Sequence, residues 1–290
     1  MPAIPFGTPP ASLAGVGALS LTATALAGPP TIALFASSAR ARDAARARLP
    51  MHATVVSAGT LALARAAANA VDCVVVARAR ADECGLGALV LGVAEGLGAP
   101  LIVCADATPV ERVELARAGV AALVAPGAPA ALLWGEVQCA VSAALLARTA
   151  ARLGEVRLGP ALRDALAVLC ATDPPPASVE AVSATVGAHR RTLWYQWRQR
   201  ARGPVPRFED VVTTVLLVRA FMRRARGAKW SAVAEQCGVH RHSLARGAHR
   251  MLGLATLPPR SGERADVAHA AVRRAFVENV VRPVLRRQSP

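Results

Sequence analysis

"APLIVCADATPVERVELARAGVAALVAPG", residues 99–127, decides the fold of the first half of this chain. It reads as a short buried strand, "PLIVCA", a helical segment, "TPVERVELARAG", and a second short strand, "VAALVA". Continuous Val/Ile/Leu runs of this length fit parallel strands covered on both faces. The same alternation extends upstream. "TIALFA", "ATVVSA" and "DCVVVA" are three further strand candidates, with "ARARDAARARL", "TLALARAAANA" and "LGALVLGVAEGLG" as helical segments between the strands. A longer helix runs from about Pro129 towards Ala151. Five βα units over residues 31–150 predict an α/β flavodoxin-like doubly wound sheet. Residues 1–30 read as a flexible leader. Their "SLAGVGALSLTATALAG" looks like the apolar region of a signal peptide but lacks the positively charged segment ahead of it.

Charge divides the chain more sharply than hydrophobicity does. Apolar residues make up 53% of the 290 and aromatics 3%, so the cores are aliphatic. Residues 1–150 carry 10 Arg against 9 carboxylates, whereas residues 151–290 carry 24 cations against 10 carboxylates, almost all of the net +15. A neutral half joined to a cationic half points to a polyanion-binding module on a bland partner. Lys229 is the sole lysine, and guanidinium favours bidentate contact with phosphate and guanine. The six cysteines form no CxxC pair and mostly lie in apolar runs. That predicts a reduced, cytoplasmic protein without a zinc site. No uninterrupted apolar run reaches the roughly 18–20 residues of a membrane span, so no membrane partner is expected.

Residues 99–127 resemble the fourth strand, fourth helix and fifth strand of the receiver domains of bacterial response regulators. Receivers hold Mg²⁺ on an acidic pair after the first strand and take phosphate on an Asp ending the third. A Thr or Ser after the fourth strand and a Lys after the fifth contact the phosphoryl group. Carried over by position, the acidic pair falls on Ala36 and Ser37, the acceptor on Ala77, the hydroxyl on Ala105 and the Lys on Ala125. Mg²⁺ needs hard oxygen ligands, and these positions offer none of the required groups. The resemblance therefore implies a degenerate, non-phosphorylatable receiver-like domain. It would serve for signal input or for homodimerisation through its last strand and helix, including Trp134, or act as an inert folding partner. No dinucleotide or phosphate loop is present, and no cofactor is expected.

The cationic half repeats itself. "GAHRRTLWYQWRQR" begins at Gly187 and "GVHRHSLARGAHR" at Gly238, 51 residues on. Ser178 is a good N-cap, and Val179, Val182 and Val186 share one helical face. Gly187 can take a left-handed turn, and Leu193 and Trp197 then face inward at i, i+4. In the second copy Ala234 matches Ser183 as the small residue, Gly238 makes the turn, and Leu244 and Ala248 face inward. Helix, tight turn, helix is the geometry that sends a second helix into the major groove. Its outward residues here are His189, Arg190, Arg191, Thr192, Tyr195 and Arg198, then His240, Arg241, His242, Ser243, Arg246, His249 and Arg250. Neither second helix contains a carboxylate. For Trp194 and Tyr195 two readings stand, capping the core or touching DNA. The histidines suggest no metal, because His240 and His242 at i, i+2 do not face one another on a helix.

The spaced pair, joined by "PRFEDVVTTVLLVRAFMRRA", resembles the DNA-binding domain of AraC/XylS-type transcription regulators over about residues 160–257. That implies two helix-turn-helix units joined by a long helix and reading successive major grooves. Val239 and Ala248 replace aromatic residues usual in the family, which predicts looser packing of the second unit or mainly backbone contact. Arg223, Arg224 and Arg226 read as a solvated or phosphate-facing end of the linker helix. The segment 258–290 is an amphipathic helix with a basic tail that docks on the domain, dimerises or adds nonspecific DNA contact.

The expectation is a bacterial-type transcription regulator: a leader (1–30), a receiver-like (βα)5 domain (31–150), an all-α double helix-turn-helix domain (151–257) and the basic tail. Its partners would be double-stranded DNA and the transcription machinery. The alternative is a ligand-responsive or protein-docking adaptor whose basic half binds RNA or an acidic protein. The residues assemble no Ser-His-Asp set and no paired carboxylates, so no enzyme is expected.

Overall fold

The computed structural model describes residues 4–5, 29–36, 38–58, 70–78, 98–200 and 206–285. They form two compact units, dividing after Ala144.

The first unit contains β1 (Thr31–Ala36), α1 (Ala39–Arg46), β2 (Thr54–Ala58), β3 (Cys73–Ala77), β4 (Leu101–Cys104), α2 (Pro109–Arg117) and β5 (Ala122–Val124). The start of α3 (Ala130–Arg152) closes it. The five strands are parallel, in the flavodoxin-like order β2-β1-β3-β4-β5. A two-residue strand, Ile4–Pro5, pairs antiparallel with β5. All five strands expected from the apolar runs are present, shortened by up to three residues in total at their ends.

Every residue of β3 and β4 is buried, as central strands covered on both faces require. Alternate side chains feed two cores. Ala33, Phe35, Val74, Val76 and Val103 pack on one face, while Ile32, Leu34, Val75 and Ile102 pack on the other. Trp134 of α3 joins the second core at 6% exposure, so the residue offered for dimerisation is spent inside the fold. Helix α2 starts with a capping box, since the Thr108 N–H donates to Glu111 Oε2 at 2.7 Å and the Glu111 N–H donates to Thr108 Oγ1 at 3.3 Å. That backbone hydrogen bond, then the Thr108 hydroxyl, holds the Glu111 carboxyl below the usual range. The expected helical segments around 60–70 and 86–98 fall almost wholly outside the described residues, as do Cys84 and all of the leader but Ile4–Pro5 and residues 29–30. Residues Ala130–Glu155 are long and apolar enough to cross a membrane by length and composition, and the most apolar 18-residue stretch within them is 67% buried.

The second unit is helical. It comprises α4 (Pro160–Ala171), α5 (Val179–Val186), α6 (Arg190–Arg200), α7 (Phe208–Ala225), α8 (Trp230–Gln236), α9 (Arg241–Leu252), α10 (Glu263–Phe276) and α11 (Arg282–Leu285). A π turn, Val277–Val281, joins the last two. Helix α7 is apolar on most of its circumference and lies at the centre, with Val211, Val215, Val218 and Ala220 fully buried. The C-terminal segment packs on it. Val272, Phe276, Val280 and Val284 are fully buried, and Asn279 Nδ2 donates to Thr214 Oγ1 at 3.3 Å. Of the three roles open to this segment in the sequence, docking on the helical unit is the one observed.

The second helix pair does not pack loosely against α7. Its small residues bring α9 in close: a Cβ on the buried Gly247 would lie 3.1 Å from Thr213 Cγ2. Gly247→Val, with a branched side chain and no room for it, is expected to lower stability by about 1–3 kcal/mol. Urea denaturation followed by helical circular dichroism checks this, and an unchanged midpoint would refute the close approach.

Candidate nucleic-acid interface

The repeated phrase folds the same way twice. Helix α5 is capped by Ser178, whose Oγ accepts from the Ala181 N–H at 3.1 Å. It ends at Gly187 with φ 64°, and α8 is followed by Gly238 with φ 65°, a region glycine enters without a Cβ penalty. After each glycine the next N–H returns to the small residue, Ala188 to the Ser183 carbonyl at 3.1 Å and Val239 to the Ala234 carbonyl at 3.0 Å.

The next residue is histidine in both copies, and it caps the second helix. The Arg191 N–H donates to His189 Nδ1 at 3.2 Å, and the His242 N–H donates to His240 Nδ1 at 3.3 Å. With Nδ1 accepting, a neutral imidazole carries its proton on Nε2. His240 has extended backbone angles and stands outside the helix. Its ring therefore stacks on His242, with centroids 5.1 Å apart, contrary to the expectation from helical spacing. Among the described residues no three His, Cys, Asp or Glu side chains gather in a metal-binding cluster.

Inward and outward faces separate as the spacing implies. Leu193, Trp197, Leu244 and Ala248 are at most 1% exposed. Val179 and Val182 are buried, and Val186 is half-buried. All thirteen outward residues, from His189 and Arg190 through Thr192 and Ser243 to His249 and Arg250, are exposed. Trp194 is 47% exposed and Tyr195 59%, so neither caps the core. The Arg198 guanidinium lies 4.8 Å from the centroid of the Trp194 ring.

The other five outward arginines fall into two kinds. The side chains of Arg191, Arg241 and Arg246 make no hydrogen bond or ion pair among the described residues. Arg190 and Arg250 are committed. Arg190 donates to Glu180 at 2.9 Å and to Glu209 at 3.0 Å, while Arg250 lies 3.1 Å from Asp210 and donates to Thr213 Oγ1 at 3.2 Å. Glu209 and Asp210 are neighbours in the first turn of α7. One arginine from each second helix is thus tied to the same turn. Exposed pairs of this kind contribute little stability. The Glu180 carboxyl is held below its usual range first by its own backbone N–H, then by the Ser178 hydroxyl, with Arg190 adding to both.

Of the three arginines at the far end of α7, Arg226 is exposed as expected, whereas Arg223 and Arg224 are half-buried and occupied within the fold. Arg223 is paired with Asp173 after α4 and donates to Cys237 Sγ at 3.8 Å after α8. Arg224 donates to the Ala228 carbonyl at 3.0 Å and lies over the Trp230 ring. The reason is local: the chain turns back at Gly227 (φ 105°), bringing carbonyls and an indole beside the guanidinium groups. The described cysteines are buried and form no disulfide. Burial pushes the Cys104 thiol to about 11 and that of Cys170 to about 12, far from thiolate chemistry.

In the first unit the positions matched to a receiver site lie at the carboxyl ends of the parallel strands. Ala36 ends β1 and Ala77 ends β3, side by side in register. Ala105 follows β4 and Ala125 follows β5, while Ser37 lies outside the described residues. Thr108, the nearest alternative hydroxyl, is occupied in its capping box. Arg48 Nη2 and Nη1 donate to the carbonyls of Ala125 and Pro126 at 3.3 and 3.0 Å.

Three groups escaped the sequence reading. Glu209 and Asp210 look like ordinary first-turn acids, and their grip on the flanking helices exists only in three dimensions. Gln196, on α6, accepts from the Leu162 N–H at 2.9 Å and caps α4. Arg157 precedes α4, outside both repeated phrases, and carried no signal there. Compared with known protein families and with curated proteins, the chain matches none of them.

Proposed function

We propose that the chain is a sequence-specific DNA-binding transcription regulator. Helices α6 and α9 would enter the major groove, and the receiver-like unit would provide signal input or dimerisation without phosphoryl transfer. The observation that carries this reading is the duplicated turn: two helix pairs share left-handed glycines, return hydrogen bonds and histidine caps, and both second helices present an exposed cationic face without carboxylates. Phosphate contacts by arginine would supply affinity and its salt dependence, and base contacts would supply sequence choice. Among the outward groups Arg241 and Arg246 are the best placed for base edges and Arg191 for the strand beside them, since none of the three guanidinium groups has a hydrogen-bond or ion-pair partner among the described residues. Arg190 and Arg250 would hold the two readers in position.

Arg191→Gln and Arg241→Gln are each expected to weaken binding to a duplex selected from a random library about tenfold, leaving the thermal melting curve unchanged. Fluorescence anisotropy measures the affinity. Equal affinity in both variants, or tighter binding of single-stranded RNA than of any duplex, would count against the proposal and favour the adaptor reading.

A further inference from the structure

A cleft of about 640 Å³ opens beside α6, on the side facing the start of α4. Leu158 and the fully buried Leu162 are part of its lining. Tyr195 and Trp194 form an aromatic edge shared with the exposed face of α6. Arg157 and Arg191 contribute to it from different segments, both exposed, and neither guanidinium has a hydrogen-bond or ion-pair partner among the described residues. The third cation of the lining, Arg200, is occupied: Nη2 and Nε donate to the Val284 carbonyl at 2.7 and 3.2 Å. Among the described residues no carboxylate lines the cleft.

We infer that this cleft is a phosphodiester subsite of the first reader, in which Arg157 and Arg191 together hold a phosphate of the DNA strand bordering the groove. The inference rests on the DNA-binding reading and adds Arg157, on a separate segment of chain, to the interface. Two guanidinium groups without a counter-charge among the described residues favour an anionic occupant over a neutral or cationic one. The cleft is continuous with Arg191, Thr192 and Tyr195, three of the outward residues of α6, so a strand passing along that helix reaches it directly. Gln196 cannot drift into the space, because its amide oxygen is fixed on the Leu162 N–H. A phosphate held there carries no base identity, and Arg157 therefore contributes affinity without selectivity.

The test uses the full chain, a duplex selected from a random library and an unrelated duplex of equal length. Arg157→Gln is expected to weaken both about tenfold and to reduce the slope of log affinity against log salt by about 0.9, the loss of one phosphate contact. Arg241→Gln, in the other reader, serves as the comparison. Unchanged affinity and slope in Arg157→Gln, with weakened binding in Arg241→Gln, would overturn the cleft assignment alone. Weakening confined to the selected duplex would overturn it too, by making Arg157 a base-reading or indirect residue. Saturable quenching of tryptophan fluorescence by benzoate, lost in Arg157→Gln while duplex binding stays intact, would reassign the cleft to a small aromatic anion. A wild-type chain that binds no duplex overturns the parent reading and this inference with it.

Discussion

Trp197→Ala is expected to lower the stability of the helical unit by about 3–5 kcal/mol, the range for truncating a fully buried large aromatic. Trp197 is 1% exposed. Its ring packs at a tilt on Phe208 with centroids 6.0 Å apart, and its indole N–H donates to the Pro206 carbonyl at 2.7 Å. Truncation removes the apolar contacts, opens a cavity between α6 and α7 and leaves a carbonyl without its donor. Trp194, three residues earlier on the same helix, is 47% exposed, and Trp194→Ala is expected to change stability by less than about 0.5 kcal/mol. Parallel urea titrations of the two variants separate an inward from an outward tryptophan. Losses of similar size would contradict the division of faces on which the interface depends.

Acid is expected to weaken the same unit through His269. This imidazole is 4% exposed, edge-on to Phe221 at 5.4 Å, and its Nδ1 is buried without a hydrogen-bond partner among the described residues. Burial, then the neighbouring Arg273 guanidinium, depresses it to about 3 from the ordinary 6.5. Between those values the unfolded chain binds a proton that the folded chain refuses, so stability is complete above about pH 6.5 and falls as the pH drops towards 3. At 1.36 kcal/mol per pH unit, about 2–3 kcal/mol is lost by pH 4.5 from this group. His269→Leu removes the ionisable group and an unsatisfied nitrogen together, so its stability is expected to depend less steeply on pH over that interval. Identical pH profiles for the two proteins would show that His269 is charged in the folded state or exposed to water.

The sheet was legible because its strands are continuous apolar runs that admit one reading, and "TIALFA" matches β1 residue for residue. The helix pairs were legible through Gly187 and Gly238, since a left-handed turn at fixed distance from an apolar i, i+4 pair leaves few alternatives. What sequence could not supply was the partner of each charge. Arg190 and Arg191 are adjacent and chemically identical, yet one is tied to two carboxylates and the other has no side-chain partner among the described residues. The difference follows from a rotation of about 100° between successive helical side chains, which turns one towards α5 and α7 and leaves the other facing solvent. Ala248 misled for a related reason. A missing aromatic suggests a gap, whereas Gly247 beside it lets the two helix axes draw together and closes the space from the other side.

Consecutive carboxylates at the head of α7, each holding an arginine from a different flanking helix, also bear on how a target would be occupied. The helices that carry those arginines also pack on α7, through Trp197 on Phe208 and Gly247 against Thr213, so if they read DNA they would engage and release it together. Nuclease protection along a bound duplex should therefore rise over both half-sites at one protein concentration. Inserting half a helical turn of DNA between the half-sites should abolish protection altogether, instead of sparing the stronger one.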